Sequence, residues 1–491
     1  MKRLYNIKLF SVRTAVAILP LTGIAVSCSS DFLEITPELT IPDENTFDTP
    51  ERILAQVNGL YASAKHGRLF GGRYYIYNDI RGEEFRNRAS NTVTGYSAYQ
   101  FTNNASDTYV ADFWNYGYLT INRVNKFLSD FDAHPGVVDD ETEENYRAEA
   151  KFIRALSYYA LVQLFAKPYI YQNGASKAIP LRLSAETSSE NNELESSTVA
   201  QIYTQILKDL DEAETGLPET YSSAYLYTTR AHKNTAIALK TRVYLAKGDY
   251  GKVIEEANKI VPAVAPFKSA TGVAHELQAD ITSVFKTPYT TVESILSFPF
   301  ADTNVPGTQN QLGYYYNAGN IEYYLVTSGA GIYADSRWGA NDARKTGLTD
   351  LKSVGTSTTK YRVLTKWSGS SPYLDYAPVI RYAEILLNLA EAEAEAEDGD
   401  LDRSRALLEA VRHRSDATYD FGTLDKDGLI EAILLERRIE LLGEGFRAPD
   451  AQRRGVAINS YGAGALIPVT DGRYTFPIPV AEQQTNPGSA Q

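Results

Sequence analysis

The pattern of apolar and polar residues predicts long amphipathic helices in two regions of the chain. Residues 141–165 read ETEENYRAEAKFIRALSYYALVQLF, with apolar residues three and four positions apart, acidic residues at the front and Pro168 just beyond the end. The same periodicity predicts helices over residues 197–214 and 230–247. Because such helices bury an apolar stripe against their neighbours, the pattern indicates a mainly α-helical fold.

Two further helix pairs share one plan, in which a Gly-Asp turn separates two helices. One turn is Gly248-Asp249 and the other is Gly399-Asp400. These units, with small residues where the helices must approach closely, resemble tetratricopeptide-type repeats. The pairs are scattered along the chain and not in tandem, so we expect them to form one face of a compact body.

Residues 66–110 and 263–377 lack helical periodicity. They are rich in Gly, Thr, Ser, Asn and Tyr, a composition that predicts long loops with short strands and brief helices. Irregular segments of this length inside a globular protein usually carry function. We therefore predict a helical scaffold that carries two loop-rich excursions, and we expect the ligand site to lie in the excursions.

The N-terminal residues have the layout of a lipoprotein signal peptide. Four basic residues precede or flank the uncharged, mostly apolar segment 14–26, which is too short to span a bilayer. Cys28 follows and is the only cysteine of the 491 residues. A lone thiol forms no internal disulfide and is a liability in an oxidising compartment unless it is used. We predict a signal peptide over residues 1–27 and lipid attachment at Cys28. The alternative is an ordinary secreted protein with an unused cysteine.

Net charge and hydropathy exclude two classes of protein. The chain has 61 acidic and 48 basic residues and a net charge of −13, and loss of residues 1–27 would make it more acidic. An acidic body argues against nucleic-acid binding, which depends on basic patches that neutralise phosphates. After the signal segment, no uncharged apolar run approaches 20 residues, so no transmembrane helix is predicted.

The composition is distinguished by 35 tyrosines, many of them clustered in the two excursions. Tyrosine offers a flat apolar face with a polar tip at a low entropy cost, which suits a surface that holds a hydroxylated ring. The predicted ring-stacking residues are Tyr96, Tyr99, Tyr315 and Trp338. The predicted polar ligand contacts are Arg81, Glu83, Arg86 and Asn87. Most other tyrosines, together with Trp114 and Trp367, are expected to fill the core.

Motifs for catalysis and for metal binding are poorly represented. His275 opens the stretch HELQAD, but a zinc-binding helix would need a second histidine at Ala279. His413 lies between two arginines and is predicted to be on a solvated helix face. Neither a G-x-x-x-x-G-K-[ST] phosphate loop nor a G-x-S-x-G nucleophile turn occurs. We predict no catalytic residue, no cofactor and no metal site.

Two acidic stretches could bind a ligand, form ion pairs or face solvent. Glu83 and Glu84 are flanked by arginines, and they either bind a polar ligand or form an ion-paired turn; the sequence leaves both open. The stretch EAEAEAED, residues 391–398, is predicted to be a solvated helix face.

Seven stretches, in order along nearly the whole chain, match the pattern of one family. They are SSDFLEITPE after Cys28, ADFWNYGYLTINRVNKFL, EAKFIRALSYYALVQLFAKPYI, RAHKNTAIALKTRVYLAKGDYGKVIEEANKIV, PVIRYAEILLNLAEAEAE, LLERRIELLGEGFR and FPIPVAEQQTNPG. Together they resemble the SusD/RagB family, the surface nutrient-binding lipoproteins of Bacteroidetes, and LLERRIELLGEGFR is the most specific of them. The chain departs from the family pattern at Thr241, Ala448, Pro449 and Arg454.

The resemblance implies a fold and a role. The fold would be a single domain over residues 28–491, mainly α-helical, with four tetratricopeptide-like helix pairs and an irregular subdomain. The role would be that of a lipid-anchored protein on the cell outer membrane, which captures oligosaccharides and passes them to a TonB-dependent transporter of the SusC type without acting as an enzyme.

Two alternatives to this role remain open. One branch of the family binds peptides, and the motifs do not separate the branches. A secreted glycosidase, from a different class of protein, would need a carboxylate pair about 5 to 10 Å apart across a cleft.

Overall fold

A computed structural model of the protein describes residues 45–188, 190 and 192–489, so Cys28 and the predicted signal peptide lie outside the described residues. The helices are α1 (Pro50–Ala64), α2 (Arg73–Ile80), α3 (Tyr96–Gln100), α4 (Thr108–Asp132), α5 (Asp140–Phe165), α6 (Val199–Gly216), α7 (Ala224–Thr229), α8 (Lys233–Lys247), α9 (Tyr250–Ala257), α10 (Ile281–Val284), α11 (Leu312–Tyr316), α12 (Ala343–Gly347), α13 (Tyr382–Glu395), α14 (Leu401–Ser415), α15 (Lys426–Glu440), α16 (Arg447–Arg453) and α17 (Val480–Thr485).

The strands are short and occur as antiparallel pairs. They are β1 (Phe85–Asn87), β2 (Lys177–Pro180), β3 (Ser196–Thr198), β4 (Ser294–Phe298), β5 (Tyr323–Leu325), β6 (Thr349–Lys352), β7 (Tyr361–Leu364), β8 (Ala377–Arg381), β9 (Ile458–Ser460) and β10 (Ala465–Ile467). The pairs are β1–β5, β2–β3, β4–β8, β6–β7 and β9–β10. The predicted mainly α-helical fold class is confirmed, and the residues from Phe47 onward form one compact unit.

The helices predicted over residues 141–165, 197–214 and 230–247 correspond closely to α5, α6 and α8. At the start of α5, the Asp139 carboxylate accepts a hydrogen bond of 2.9 Å from the Thr142 backbone N–H. At the start of α6, Thr198 and Gln201 form a capping box. Each of these side chains satisfies backbone N–H groups that the helix itself leaves free.

The two Gly-Asp turns act as helix stops and starts. Gly248 ends α8 with φ of +73°, a left-handed conformation that glycine adopts at little cost, and Asp249 caps α9. Asp400 caps α14 by accepting a hydrogen bond of 2.9 Å from the Arg403 N–H. The helix–turn–helix units therefore exist as expected, and their likeness to tetratricopeptide repeats stays a prediction.

The two loop-rich excursions meet through one strand pair. Strand β1 from the first excursion pairs with β5 from the second, and Arg86 lies opposite Tyr324 in that register. Arg88 extends the contact, because its N–H donates a hydrogen bond of 3.0 Å to the Glu322 carbonyl. Segments more than 200 residues apart in the chain thus form one surface.

The family-like stretch LLERRIELLGEGFR has a structural role in a buried ion network. Its carboxylates Glu436, Glu440 and Glu444 recur every four residues, so they lie along one side of α15 and the turn that follows it. Glu440 accepts hydrogen bonds from Arg344 (2.8 Å), Arg381 (3.0 Å) and Arg414 (2.6 Å).

Opposite charges in this network are balanced. Its cations are Arg344, Lys366, Arg381, Arg412 and Arg414, and its carboxylates are Glu293, Asp342, Glu436, Glu440 and Glu444. Burial raises the pKa of Glu440, but the charges of Arg414, Arg381 and Arg344 outweigh it and hold the pKa well below its usual range. The network therefore fastens the second excursion, which carries Glu293 and Asp342, to the helical scaffold.

The prediction that residues 391–398 form a solvated face is wrong for two of its acids. Glu391 and Glu393 are buried. Arg453 of α16 pairs with Glu391 at 2.5 Å, and Arg403 of α14 pairs with Glu393 at 2.8 Å. Helices from elsewhere in the chain supply the cations, so the acids are buried as ion pairs.

Three smaller predictions are confirmed. His413 is exposed on α14, as expected for a solvated helix face. Trp114 and Trp367 are both buried in the main hydrophobic core. The core therefore takes up these two rings as structural side chains.

Candidate functional site

An accessible cluster of tyrosines and one arginine lies where the two excursions meet. We call it the tyrosine platform, and it consists of Arg86, Tyr96, Tyr324, Tyr361 and Tyr461. Arg86 is exposed, and the four tyrosines are half-buried. Each therefore keeps part of its side chain open to a ligand while the rest is held by packing.

Neighbouring elements place these side chains against one another. The β1–β5 register sets Arg86 across from Tyr324, and the ring of Tyr361 on β7 meets the Tyr324 ring edge-on, with centroids 4.8 Å apart. The guanidinium of Arg86 lies 5.3 Å from the centroid of the Tyr461 ring. Contacts of this kind hold aromatic rings in fixed orientations.

Tyr99 forms the floor of the platform and is almost fully buried. Its ring stacks on Tyr96 with centroids 6.1 Å apart and meets Tyr323 edge-on at 5.8 Å. Burial raises the pKa of Tyr99 to about 12, and a hydrogen bond with the backbone of Asn87 acts against the rise. Its hydroxyl is therefore neutral under ordinary conditions, and the residue supports the rings above it.

The loop that carries Tyr461 approaches the floor closely because the next residue is a glycine. A Cβ atom on Gly462 would overlap the backbone carbonyl of Tyr99. The Tyr461 N–H also donates a hydrogen bond of 3.3 Å to the Gly82 carbonyl. The absence of a side chain at Gly462 thus lets the β9–β10 turn lie against the first excursion.

Two of the predicted contact residues, Arg86 and Tyr96, are part of the platform. Asn87 follows Arg86 on β1 and, because successive side chains of a strand alternate, lies on the opposite face. The Asn87 side-chain oxygen accepts a hydrogen bond of 2.7 Å from the Ser90 N–H. The sequence-based prediction that Tyr99 contacts the ligand becomes, in the structure, a supporting position beneath the surface.

Burial corrects three other predicted contacts. Tyr315 is fully enclosed and stacks on Tyr323 with centroids 6.1 Å apart. Trp338 is buried against Tyr333. Arg81 is buried over the Phe101 ring and donates a hydrogen bond to the Tyr474 carbonyl. None of these side chains presents a face to a ligand at the surface, and each has partners in the core.

Glu83 is the fourth correction, and its partners favour the ion-paired-turn interpretation. Glu83 accepts a hydrogen bond of 2.7 Å from Arg447, and Glu84 accepts one of 2.7 Å from Arg438. Both carboxylates are buried. Arg438 and Arg447 both lie within the LLERRIELLGEGFR stretch, so this motif also fastens the first excursion to the scaffold.

The sequence interpretation missed Tyr324, Tyr361 and Tyr461. Alternation along IEYYL distinguishes the two adjacent tyrosines, since a strand turns successive side chains to opposite faces. Tyr323 is buried and Tyr324 is accessible, in agreement with that rule. No local pattern marks Tyr361 or Tyr461, because their approach to Tyr324 depends on contacts between distant segments.

Two open clefts elsewhere differ in chemistry from the platform. One, of about 480 Å³, lies between α5 and α6, and the other, of about 590 Å³, lies among α6, α8 and α9. Lysines and acids dominate their linings, with Tyr244 the single aromatic residue in either. They therefore lack the grouped aromatic rings that distinguish the platform.

The described part of the chain has neither a metal-ligand cluster nor a membrane-spanning helix. No group of three or more histidine, cysteine, aspartate or glutamate side chains there is arranged to hold a metal ion. No helix of residues 45–188 and 192–489 is long and apolar enough to cross a membrane.

Comparisons with known proteins match nearly the whole chain. A family described as starch-binding associating with outer membrane matches residues 31–245, and one described as the SusD family matches residues 312–491. The crystal structure of a SusD superfamily protein from Bacteroides fragilis is 36% identical, with a TM-score of 0.81, and covers 91% of this chain and 100% of that one.

Two curated relatives add to this picture. SusD-like protein P2 of Formosa agariphila is 26% identical, and the match covers 98% of each chain. The starch-binding protein SusD of Bacteroides thetaiotaomicron is 29% identical over 166 residues, which are 33% of this chain and 26% of that protein. These descriptions name binding proteins and no enzyme.

Proposed function

The chain belongs to the SusD/RagB family, and from this premise we propose that it binds oligosaccharides on the tyrosine platform and delivers them to a TonB-dependent transporter of the SusC type. Proteins of this family are associated with the outer membrane and are not enzymes. The observation that carries the proposal is the grouping of half-buried tyrosine rings at the junction of the two excursions.

The platform has the chemistry that a sugar requires. A pyranose ring has apolar C–H faces that stack on aromatic rings, and its hydroxyls pair with polar groups at the rim. Tyr324 and Tyr361 supply adjacent rings at an angle of 65°, and Arg86 supplies N–H donors beside them. Because packing already orders these side chains, a ligand loses little by fixing them further.

The platform does not have the chemistry of a glycosidase. Glycoside hydrolysis needs two carboxyl groups on either side of the scissile bond. The platform residues are tyrosines and an arginine, and the nearby acids Glu83 and Glu84 are buried in ion pairs. This arrangement favours binding.

The anchor and the chain organisation belong to the same proposal. Residues 1–27 would be removed as a signal peptide, and residues 28–491 would form a single domain. Cys28, outside the described residues, would carry the acyl chains. One lipidated cysteine with several chains suffices for stable attachment, so the protein would remain at the surface beside its transporter.

The proposal is tested by measuring the affinities of the wild-type protein and of Tyr324→Ala for a panel of polysaccharides. Loss of one stacked ring face costs about 2 kcal/mol if roughly 80 Å² of apolar contact is lost, which is about a 30-fold rise in Kd. Calorimetry and affinity electrophoresis would measure it. Tyr225→Ala is the matched control, since Tyr225 is 51% exposed on α7 outside the platform and should bind as wild type.

Three results would count against the proposal. Binding of peptides with no retention by any polysaccharide would support the peptide-binding alternative. Glycan binding that Tyr324→Ala leaves unchanged would place the site elsewhere. Release of reducing sugar from the bound polymer would support an enzyme.

A further inference from the structure

The guanidinium of Arg86 lacks a charged partner. Among the described residues it forms no ion pair and no side-chain hydrogen bond, and its one specific contact is the face of the Tyr461 ring. By contrast, the neighbouring Arg438 and Arg447 each pair with a carboxylate. In a chain with a net charge of −13, an uncompensated arginine in the middle of the candidate site calls for an explanation.

Arg88 adds a second uncompensated charge just beyond the end of β1. It follows the strand by one residue, and its N–H continues the β1–β5 pairing by donating a hydrogen bond of 3.0 Å to the Glu322 carbonyl. Its Nε donates to the carbonyl oxygens of Asn320 and Ile321, each at 3.0 Å. Backbone carbonyls fix the position of this guanidinium without neutralising its charge.

Glu322, whose backbone carbonyl pairs with the Arg88 N–H, does not neutralise either guanidinium. Glu322 is buried and accepts hydrogen bonds from the Thr94 hydroxyl (2.8 Å) and the Asn320 side-chain amide (2.6 Å). It forms no ion pair with Arg86 or Arg88 in the described structure. Arg86 lies directly across from Tyr324 in the β1–β5 register, and burial raises the pKa of Tyr324 while the positive charges of Arg86 and Arg88 act against the rise.

Building on the proposed glycan-binding function, we infer that the platform recognises an anionic sugar, one that carries a carboxylate or a sulfate ester. The planar fork of an arginine matches these groups and can donate two parallel hydrogen bonds to them. A ring stacked on Tyr324 or Tyr361 would bring its acidic substituent to Arg86, and Arg88 would add to the attraction. A neutral sugar would leave both charges unused.

The substitution Arg86→Gln tests this inference on the full-length protein. Its affinity is measured by calorimetry for matched polymer pairs: polygalacturonate against its methyl-esterified form, and a sulfated galactan against its desulfated form. We expect the acidic polymer of a pair to bind best and Arg86→Gln to weaken that binding roughly tenfold or more, the scale of a charge-assisted hydrogen bond. Rising salt should weaken wild-type binding by screening.

The control Arg123→Gln makes the same change in net charge on α4, at an exposed position outside the platform, and should bind as wild type. Tight binding of neutral polymers only, or acidic-polymer binding that Arg86→Gln leaves intact, would overturn the inference while the proposed function stands. Failure to bind any polysaccharide would overturn both. An equal loss of affinity for the acidic polymer in Arg86→Gln and Arg123→Gln would show that net charge alone causes the effect. That result would also overturn the inference.

Discussion

Glu440→Gln should strongly destabilise the protein, because Glu440 is the centre of the buried ion network. Its carboxylate faces Arg344, Arg381 and Arg414 at 2.6 to 3.0 Å. Glutamine keeps the volume of the side chain and one acceptor oxygen, so the main loss is the negative charge. With five cations facing five carboxylates, that loss leaves one buried positive charge without compensation.

The size of the expected loss in stability follows from the burial of Glu440 and of the side chains that pair with it. Removal of one member of a buried ion pair costs about 3 to 5 kcal/mol, since the remaining charge is left in a poorly solvated site. We expect the free energy of unfolding to fall by about 3 kcal/mol, with an unchanged dependence on urea concentration. Because the pKa of Glu440 lies well below 4.5, this difference should persist at neutral pH and shrink only as the pH falls below about 4.5.

Urea unfolding followed by circular dichroism is the assay, with Glu431→Gln as the matched control. Glu431 lies on the same helix, its side chain is 70% exposed, and it pairs with Arg337 at the surface. Its loss should cost under about 1 kcal/mol. The double variant Arg414→Gln with Glu440→Gln restores charge balance and should lose less than the sum of the single variants. A loss below about 1 kcal/mol for Glu440→Gln would refute this account of the network.

Two further predictions concern acid stability and the anchor. Burial lowers the pKa of His232 to about 3 and of His275 to about 4, so both histidines are neutral in the folded protein. The free energy of unfolding should therefore fall as the pH drops from about 6.5 to 4, by about 3 kcal/mol for His275 alone. His275→Phe should make the free energy of unfolding less dependent on pH over this range. An unchanged slope in that variant would show that other groups control the response. Cys28→Ala should release the protein from membranes or leave its precursor uncleaved, as fractionation and mass spectrometry would reveal; membrane-bound protein of normal mature size would contradict lipid attachment at Cys28.

Acidic residues of two motifs are paired with arginines and a lysine that are distant in sequence. Within LLERRIELLGEGFR, the spacing of Glu436, Glu440 and Glu444 is visible in the sequence, but their partner cations come from four other segments. The same is true of Glu391, whose partner Arg453 is 62 residues away. A repeat of acids on one helix face predicts either solvation or pairing, and only the packing of the other helices decides between them.

Local spacing determined the features of this protein that depend on short-range physics. Helical periodicity, N-terminal caps and Gly-Asp turns act over a few residues, so the sequence was sufficient to locate α5, α6, α8 and the two helix–turn–helix units. The ordered family motifs likewise identified the fold class. These features need no knowledge of which distant segments meet.

Tertiary structure alone decided which tyrosines are accessible. Tyr315 and Tyr324 occur in similar tyrosine-rich stretches, yet the first is enclosed by the core and the second is accessible. The difference arises from the β1–β5 pairing and from the close approach that Gly462 allows, which join segments hundreds of residues apart. Burial depends on all the neighbours of a side chain, and most of those neighbours are distant in sequence. The sequence therefore named Arg86 and Tyr96 of the platform but missed Tyr324, Tyr361 and Tyr461.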